Sequence, residues 1–350
     1  MKNIIAIDIG SKNVHVLEGH FQGGVIEAVK AISASTPPNS VVDGRIENIP
    51  SMKDFLKALI LKNKISSKSA VLTVYSASII TRDIILPAVN PNELANAVRY
   101  EMEQYLPSAS DSYVIEHTIV SRITEENINK YRIRAAAVPR EMVKSYYDFL
   151  KALNLKPLVM DIQSNSASKL FLMTQGIEIN GEALSPDSTV IFVDMGNKNT
   201  TINIISDGKL ELSRAVSLGG RDIDQAISKQ LGISVDKAEQ HKIAKANLDP
   251  FLQVDSRQVS DPVRTVVDQW INEVQKIMQY YTSRGGGIKD GRVYIYGGSS
   301  NLKGLTEYME QFLNIPVKKL TSIGKLQFDK KDGGPGLEYF INAAGVMLKI

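Results

Sequence analysis

The chain has no cysteine, which removes disulfides, thiolate catalysis and the usual structural zinc sites together and suits a reducing compartment. Its four histidines, His15, His20, His117 and His241, fall on no metal-binding spacing, so no transition-metal centre is expected. Neither sign of charge dominates. Against 38 acids stand 41 lysines and arginines, and a net charge of +3 is too small for the footprint of a nucleic-acid binder. No stretch approaches the ~20 apolar residues of a membrane span. The opening IIAI is broken at once by Asp8, too short and too polar for a signal peptide. There is no GxxxxGK[ST], and no GxGxxG joins a strand to a helix, which sets aside two common phosphate cradles. What remains is ordinary globular composition, 43% hydrophobic and 23% charged over 350 residues, enough for at least two cores. A cytoplasmic protein without membrane insertion is expected.

One pattern occurs twice. Near the start the chain reads IIAIDIGSKNVHV, and from position 190 it reads VIFVDMGNKNTTINII. Each copy is an apolar strand ending in an acid (Asp8, Asp194), a glycine two residues on (Gly10, Gly196), a polar turn and a second strand. A repeat at this separation far exceeds the ~20–50 residues of solenoids and points to a duplicated domain. Around it, strands alternate with helical segments such as SMKDFLKALILKNKI, which predicts an α/β architecture.

From about 79 to 156 the order changes to strand, helix, strand, strand, helix, as in a separate α+β subdomain. Its first helix is predicted to open with Asn90 as cap and Pro91 and Glu93 behind it, with Leu94, Val98, Met102 and Tyr105 on the core side. The second carries Met142, Val143, Tyr146, Phe149, Leu150 and Leu153. Further on, Asp261 and Pro262 are expected to cap a long amphipathic helix with Trp270 in the core. YIYGGSSNLKG reads as a strand, Gly297 and Gly298, then a helix start.

A carboxylate at the end of a buried strand is costly unless a cation or a cleft meets it. Glycine admits positive φ and close approach to the backbone, and successive turn amides favour anions, with Ser11 or Asn13 as further donors. Anion donors beside two acids are self-consistent if a magnesium ion and a polyphosphate sit between them, since Mg²⁺ keeps its waters and takes one or two carboxylates. Asp8 and Asp194 are therefore the candidate metal residues, acting through water. The alternative is that each aspartate merely bonds turn amides.

Two D-x-G hairpins, the Gly-Gly before a helix and the Gly-Gly turn in SLGGRDID together resemble the superfamily of actin, heat-shock chaperones and sugar kinases. The resemblance implies actin-like (ribonuclease H-like) duplicated domains that bind ATP with Mg²⁺. It implies phosphate contacts from Asp8, Gly10, Ser11, Lys12 and Asn13 in the first hairpin and from Asp194, Gly196, Asn197 and Asn199 in the second, with Gly219 and Gly220 nearby. It puts Gly297, Gly298 and Ser299 near the adenosine and Glu239 and Lys242 beside ribose and adenine, where the plain alternative is a surface i,i+3 ion pair. Gln163 is similar in position to the water-orienting glutamine of actin. His15 stands where actin and many relatives carry a lysine, and a mostly neutral imidazole offers a phosphate less charge.

The wording RDIILPAVNPNELANAVRYEMEQYLP and KYRIRAAAVPREMVKSYYDFLKALNLKPLVMDIQS closely resembles the PilM proteins of type IV pilus assembly, which are built like the cell-division protein FtsA. This implies a first lobe of residues 1–78, 157–186 and 335–350, an FtsA-type insert of 79–156, a second lobe of 187–222 and 290–334, and a helical part of 223–289. It also implies an ATP-binding adaptor at the inner face of the cytoplasmic membrane, with weak ATPase activity at most. Its partners would be the N-terminal cytoplasmic peptide of PilN, other platform proteins of the pilus and further copies of itself. Two alternatives stay open. A small-molecule or sugar kinase would need a catalytic acid in the first lobe that the insert leaves free. An FtsA-like filament scaffold would attach to the membrane, and AAGVMLKI is no basic amphipathic anchor.

Overall fold

The computed structural model describes residues 2–125, 127–172, 178–249, 257–328 and 334–349. The first half runs β1 (Ile4–Ile9), β2 (Asn13–Gln22), β3 (Val25–Ser35), β4 (Val41–Val42), β5 (Arg45–Ile46), α1 (Ile49–Lys62), β6 (Ser69–Val74) and β7 (Ile80–Pro87). It continues with α2 (Pro91–Glu103), β8 (Tyr113–Glu125), β9 (Ile128–Pro139), α3 (Arg140–Ala152), β10 (Lys156–Ile162) and α4 (Gln163–Leu172). The second half holds β11 (Glu178–Ile179), β12 (Glu182–Ala183), β13 (Val190–Met195), β14 (Thr200–Ser206), β15 (Lys209–Val216), α5 (Gly220–Leu231), α6 (Val235–Lys245) and α7 (Arg257–Ser283). It ends with β16 (Arg292–Tyr296), α8 (Leu305–Leu313), β17 (Val317–Lys319), β18 (Leu326–Phe328) and α9 (Ile341–Val346).

Two compact units divide the chain, one formed by 2–14 and 34–162, the other by 15–33 and 163–349. In the first, β1, β6 and β10 lie side by side, and both pairs run parallel. All six residues of β1 are buried, which fits the near-continuous apolar run of a covered parallel strand. The same unit contains a three-stranded antiparallel sheet in the order β7-β9-β8. Beneath that sheet Leu94, Val98 and Met102 of α2 close a small core with Ile84, Ile133 and Ala135. Asn90 caps α2 as expected, its side chain accepting from the Glu93 amide at 3.0 Å.

The other unit repeats the plan. Here β13, β16 and β17 run parallel in that order, and β14 and β15 continue the sheet from β13 in antiparallel pairs. One face of this sheet packs on α5, α7 and α8 through Ile191, Val193, Ile202, Val267 and Met309. Trp270 is buried in that core as expected and donates its indole N–H to the Leu218 carbonyl at 3.3 Å. On the opposite face Phe171 of α4 stacks on Phe192 with ring centroids 3.4 Å apart.

Three local expectations change. Tyr105 is 41% exposed rather than on the core stripe, because α2 ends at Glu103 and the ring lies beneath the Arg82 guanidinium, 4.9 Å from its centroid. Asp261 and Pro262 do not begin α7, which already runs from Arg257 with the proline inside it. Sixth in the helix, Pro262 lies past the first turn, so its missing N–H gives up one intrahelical bond. Gly297 and Gly298 lead into a short 3₁₀ turn, Gly298–Asn301, and α8 begins only at Leu305, after Gly304 at φ +70° breaks the path. The expected end of SNSASKLFLMTQG beyond Leu172 and the start of the glycine-rich loop at Gly333 lie outside the described residues.

Helix α9 approaches α4 so closely that a Cβ on Gly345 would run into the Ser166 carbonyl. Gly345→Ala should lower stability in urea by about 1–3 kcal/mol, as overpacking does. Gly287→Ala, where a Cβ meets nothing within 4 Å, is the matched control and should stay near wild type.

Candidate functional site

The two hairpin turns are built alike. The Gly10 amide donates to the Asn13 carbonyl at 3.0 Å, and the Gly196 amide donates to the Asn199 carbonyl at 3.0 Å. In both, a Cβ on the glycine would stand 2.8 Å from that same carbonyl oxygen. Neither glycine is among those at positive φ, so the residue is required by space and not, as the sequence suggested, by a left-handed backbone.

Beyond that bond the copies differ. In the first turn Thr36 donates its amide to the Lys12 carbonyl at 3.0 Å and its hydroxyl to the Gly10 carbonyl at 2.8 Å. In the second, the first amides of α5 bond the turn instead, Gly220 donating to the Gly196 carbonyl at 3.0 Å and Arg221 to the Asn197 carbonyl at 2.8 Å. Gly219 caps α5, its amide donating to the Asp222 carboxylate at 2.7 Å, and a Cβ there would collide with the Asn197 backbone.

Most of the candidate residues of the second half converge within one unit. Gly297, at φ +86°, lies against the Asp194 carboxylate, where a Cβ would come to 2.6 Å of Oδ1. Ser299 donates its hydroxyl to the Gly196 carbonyl at 3.3 Å, and its Oγ would be 2.5 Å from a Cβ on Gly220. The Lys242 ammonium is 3.6 Å from that same point and donates to the Gly220 carbonyl at 3.3 Å. Asp8, Ser11 and Lys12 belong to the other unit; Gln163 opens α4 and Glu239 lies on α6.

Two residues absent from the sequence-based set complete this arrangement. Asn342 of α9 donates its amide to Asp194 Oδ2 at 2.9 Å. Asp224 of α5 pairs with Lys242 at 2.7 Å, with only 4% and 12% of the two side chains exposed. Asp224 stood close to the quoted glycine pair in SLGGRDID, but only the packing of α5 on α6 brings it to the lysine. Asn342 carried no local signal. Tyr339 adds a further wall: its ring lies 3.7 Å from a Cβ placed on Gly298, and its hydroxyl accepts from Asn301 at 3.0 Å. Burial and the Glu338 charge push its phenol up.

His15 packs against Tyr339 and Phe340, with ring centroids 5.6 and 5.7 Å away, and its Nδ1 is buried without a hydrogen-bond partner. Burial lowers its pKa from 6.5 to about 4, so the ring is neutral near pH 7. Among the described residues, no group of three or more acids and histidines is placed to hold a metal ion by itself.

Two halves that repeat a strand-turn-strand hairpin beside parallel strands, each with an aspartate at the strand end, define an actin-like fold. Solved structures of similar architecture have it. One, a PilM-PilN type IV pilus biogenesis complex, superposes with a TM-score of 0.81 at 19% identity over 99% of this chain and 98% of the other. MreB 5 of Spiroplasma citri bound to AMPPNP gives 0.55 at 12% identity over 100% and 95%. The family model of the type IV pilus assembly protein PilM matches residues 6–339, and the chain belongs to that family. The cell division protein FtsA of Rhizobium meliloti (strain 1021) is 26% identical over 175 residues, 45% of this chain and 39% of that relative. The match thus spans about two fifths of the FtsA chain.

Two outcomes test this geometry. Lys242→Ala removes the cation 2.7 Å from the buried Asp224 carboxylate and should cost about 3 kcal/mol in a denaturant titration. Lys242→Ala with Asp224→Ala should recover most of that, and additive losses would show that the pair is not coupled. For His15, an unfolded chain takes up a proton near pH 6.5 that the folded ring refuses until about pH 4. Stability from this group is therefore present above 6.5 and lost as pH falls toward 4. His15→Gln should narrow the stability difference between about pH 7 and pH 5 by roughly 1 kcal/mol, a value discounted for the ring's residual exposure. An unchanged pH profile would contradict it.

Proposed function

We propose that this protein is an ATP-binding actin-like adaptor of the type IV pilus inner-membrane assembly platform. The observation that carries the reading is the Asp194 carboxylate against Gly297 and Asn342, with the buried Lys242–Asp224 pair beside Gly220 at the start of α5, in an actin-like fold. Such crowding of small residues around an acid suits a ligand that needs backbone approach and a cation, as a nucleoside triphosphate with magnesium does. The AMPPNP in the solved MreB 5 structure supports a nucleotide as the ligand class.

In this reading Asp8 and Asp194 hold hydrated Mg²⁺, the turn amides with Ser11, Asn13 and Asn199 bind phosphate oxygens, and Gly297, Gly298 and Ser299 face the adenosine. Magnesium neutralises phosphate charge when bound; the residues themselves orient and hold. Neutral His15 adds no charge there, which favours binding over turnover, and Gln163 orients any attacking water. The partner is the N-terminal cytoplasmic segment of PilN, a reading supported by the likeness to the solved PilM-PilN complex, and through it the adaptor meets the membrane. Its groove lies between the first lobe and the insert of residues 79–156. Among the described residues, no helix is long and apolar enough to cross a membrane.

Thermal shift with ATP and Mg²⁺ checks the first step. Ligand at ~100 times its dissociation constant should stabilise wild type by about 2.7 kcal/mol, and Asp194→Ala should lose that gain. No shift in wild type at millimolar ATP would sink the nucleotide reading. Calorimetry of a PilN N-terminal peptide with ATP-Mg²⁺, with ADP and without nucleotide then tests coupling, which equal affinities would refute.

A further inference from the structure

The chain enters and leaves the β7-β9-β8 sheet by joins of different slack. On the way out β9 runs straight into α3: Pro139 ends the strand and caps the helix, and the Arg140 guanidinium donates to the Asp111 and Tyr113 carbonyls at 2.8 and 3.0 Å. On the way in, residues 75–79 lie between the end of β6 at Val74 and the start of β7 at Ile80. This entry segment is the join with freedom to bend. Since β7 pairs with β9 from Ile80 to Pro87, whatever fixes the entry segment fixes the sheet as one body.

A turn from elsewhere in the chain holds it. Strands β4 and β5 form a hairpin closed by Asp43 and Gly44, at φ +46° and +70°, the left-handed pair that an Asp-Gly turn favours. Asp43 accepts the Ser76 hydroxyl on Oδ2 at 3.0 Å and the Ala77 amide on Oδ1 at 2.8 Å. Ser76 is buried and passes the restraint on, its Oγ accepting the Ser78 amide at 3.1 Å. The turn is itself pinned twice. Gly44 lies so close to the Tyr75 backbone that a Cβ would run into the Tyr75 carbonyl, and its own carbonyl accepts the hydroxyl of buried Tyr146 of α3 at 2.7 Å. Burial and the Asp8 charge push the Tyr146 phenol up, so it stays protonated and remains a donor across the ordinary pH range.

One carboxylate thus takes two bonds from a short segment, and the turn that carries it is fastened to α3. We propose that the Asp43–Gly44 turn is a clasp that sets how the β7-β9-β8 sheet sits against strands β1, β6 and β10, which makes Asp43 and Tyr146 positioning residues of the partner groove. The proposal rests on the PilN reading above and deepens it. A peptide that meets a wall already fixed in place does not bear the entropy of ordering that wall, so the clasp acts on affinity without touching the peptide. Asp43 is exposed, unlike Tyr146, so the bonds to Ser76 and Ala77 can open without breaking into the core.

Calorimetry and amide hydrogen exchange on the full chain test the clasp together. Asp43→Ala should weaken binding of a PilN N-terminal peptide about tenfold, the worth of two bonds to a carboxylate, and speed exchange at the Ala77 amide. Its thermal shift with ATP and Mg²⁺ should stay that of wild type, which a general loss of structure would not allow. Asp43→Asn, with one acceptor oxygen left, should fall between the two, and Tyr146→Phe should weaken the peptide by less. Wild-type peptide affinity in Asp43→Ala overturns the proposal. If wild type binds no peptide, the PilN reading fails and exchange alone decides the clasp: faster exchange over residues 75–79 in Asp43→Ala, with β1 unchanged, upholds it, and equal exchange overturns it. Should circular dichroism show Asp43→Ala unfolded, Ser76→Ala, which removes one of the two bonds, serves for the same comparison with a smaller expected loss.

Discussion

The constraint on which this structure turns is the need to place a carboxylate near the end of a buried strand. Asp194 is the penultimate residue of β13, whose neighbours in the sheet are among the most buried residues of the chain. Leaving that charge uncompensated would cost several kcal/mol, so the surroundings must supply dipoles at short range. Glycines leave room for that approach. Gly297 touches the carboxylate, Gly219 and Gly220 let the start of α5 meet the turn carbonyls, and Asn342 provides an amide donor from the far end of the chain.

The same demand is met differently in the two copies. The turns share one closing hydrogen bond and one steric reason for glycine, which is what a duplicated element should retain. Around that shared bond the first copy uses Thr36 and the second uses a helix start. In register with the aspartate the first has Thr73 and the second Tyr296. Duplication thus keeps the backbone geometry that a turn of this length imposes, while the side chains that complete each site have diverged.

Buried charge elsewhere follows the same logic. Lys242 and Asp224 are both largely withdrawn from water and lie 2.7 Å apart, so each offsets part of the other's burial cost. His15 has no such partner for its Nδ1 and meets burial by remaining neutral. What the ring offers at this position is aromatic contact with Tyr339 and Phe340 rather than charge.

Much of the plan was readable along the chain because it is local. The doubled hairpin, the Asn90 cap, the apolar stripes of α2 and α3 and the burial of Trp270 all depend on residues within a few positions of one another, where periodicity and turn chemistry act. Helix limits were less legible: Tyr105 falls past the end of α2 at Glu103, and the glycine pair at 297 leads into a 3₁₀ turn, with α8 starting only after Gly304. The partners of the charged groups were not legible at all. Nothing near Asp194 announces Asn342, and nothing near Asp8 announces Thr73 and Asp161, because strand order and register bring them together only after folding. Residue order alone was enough to establish the actin-like repeat and the family. Which atoms face each aspartate was settled by the packing of distant segments, since a hydrogen bond depends on distance in space and leaves no periodic trace in the chain.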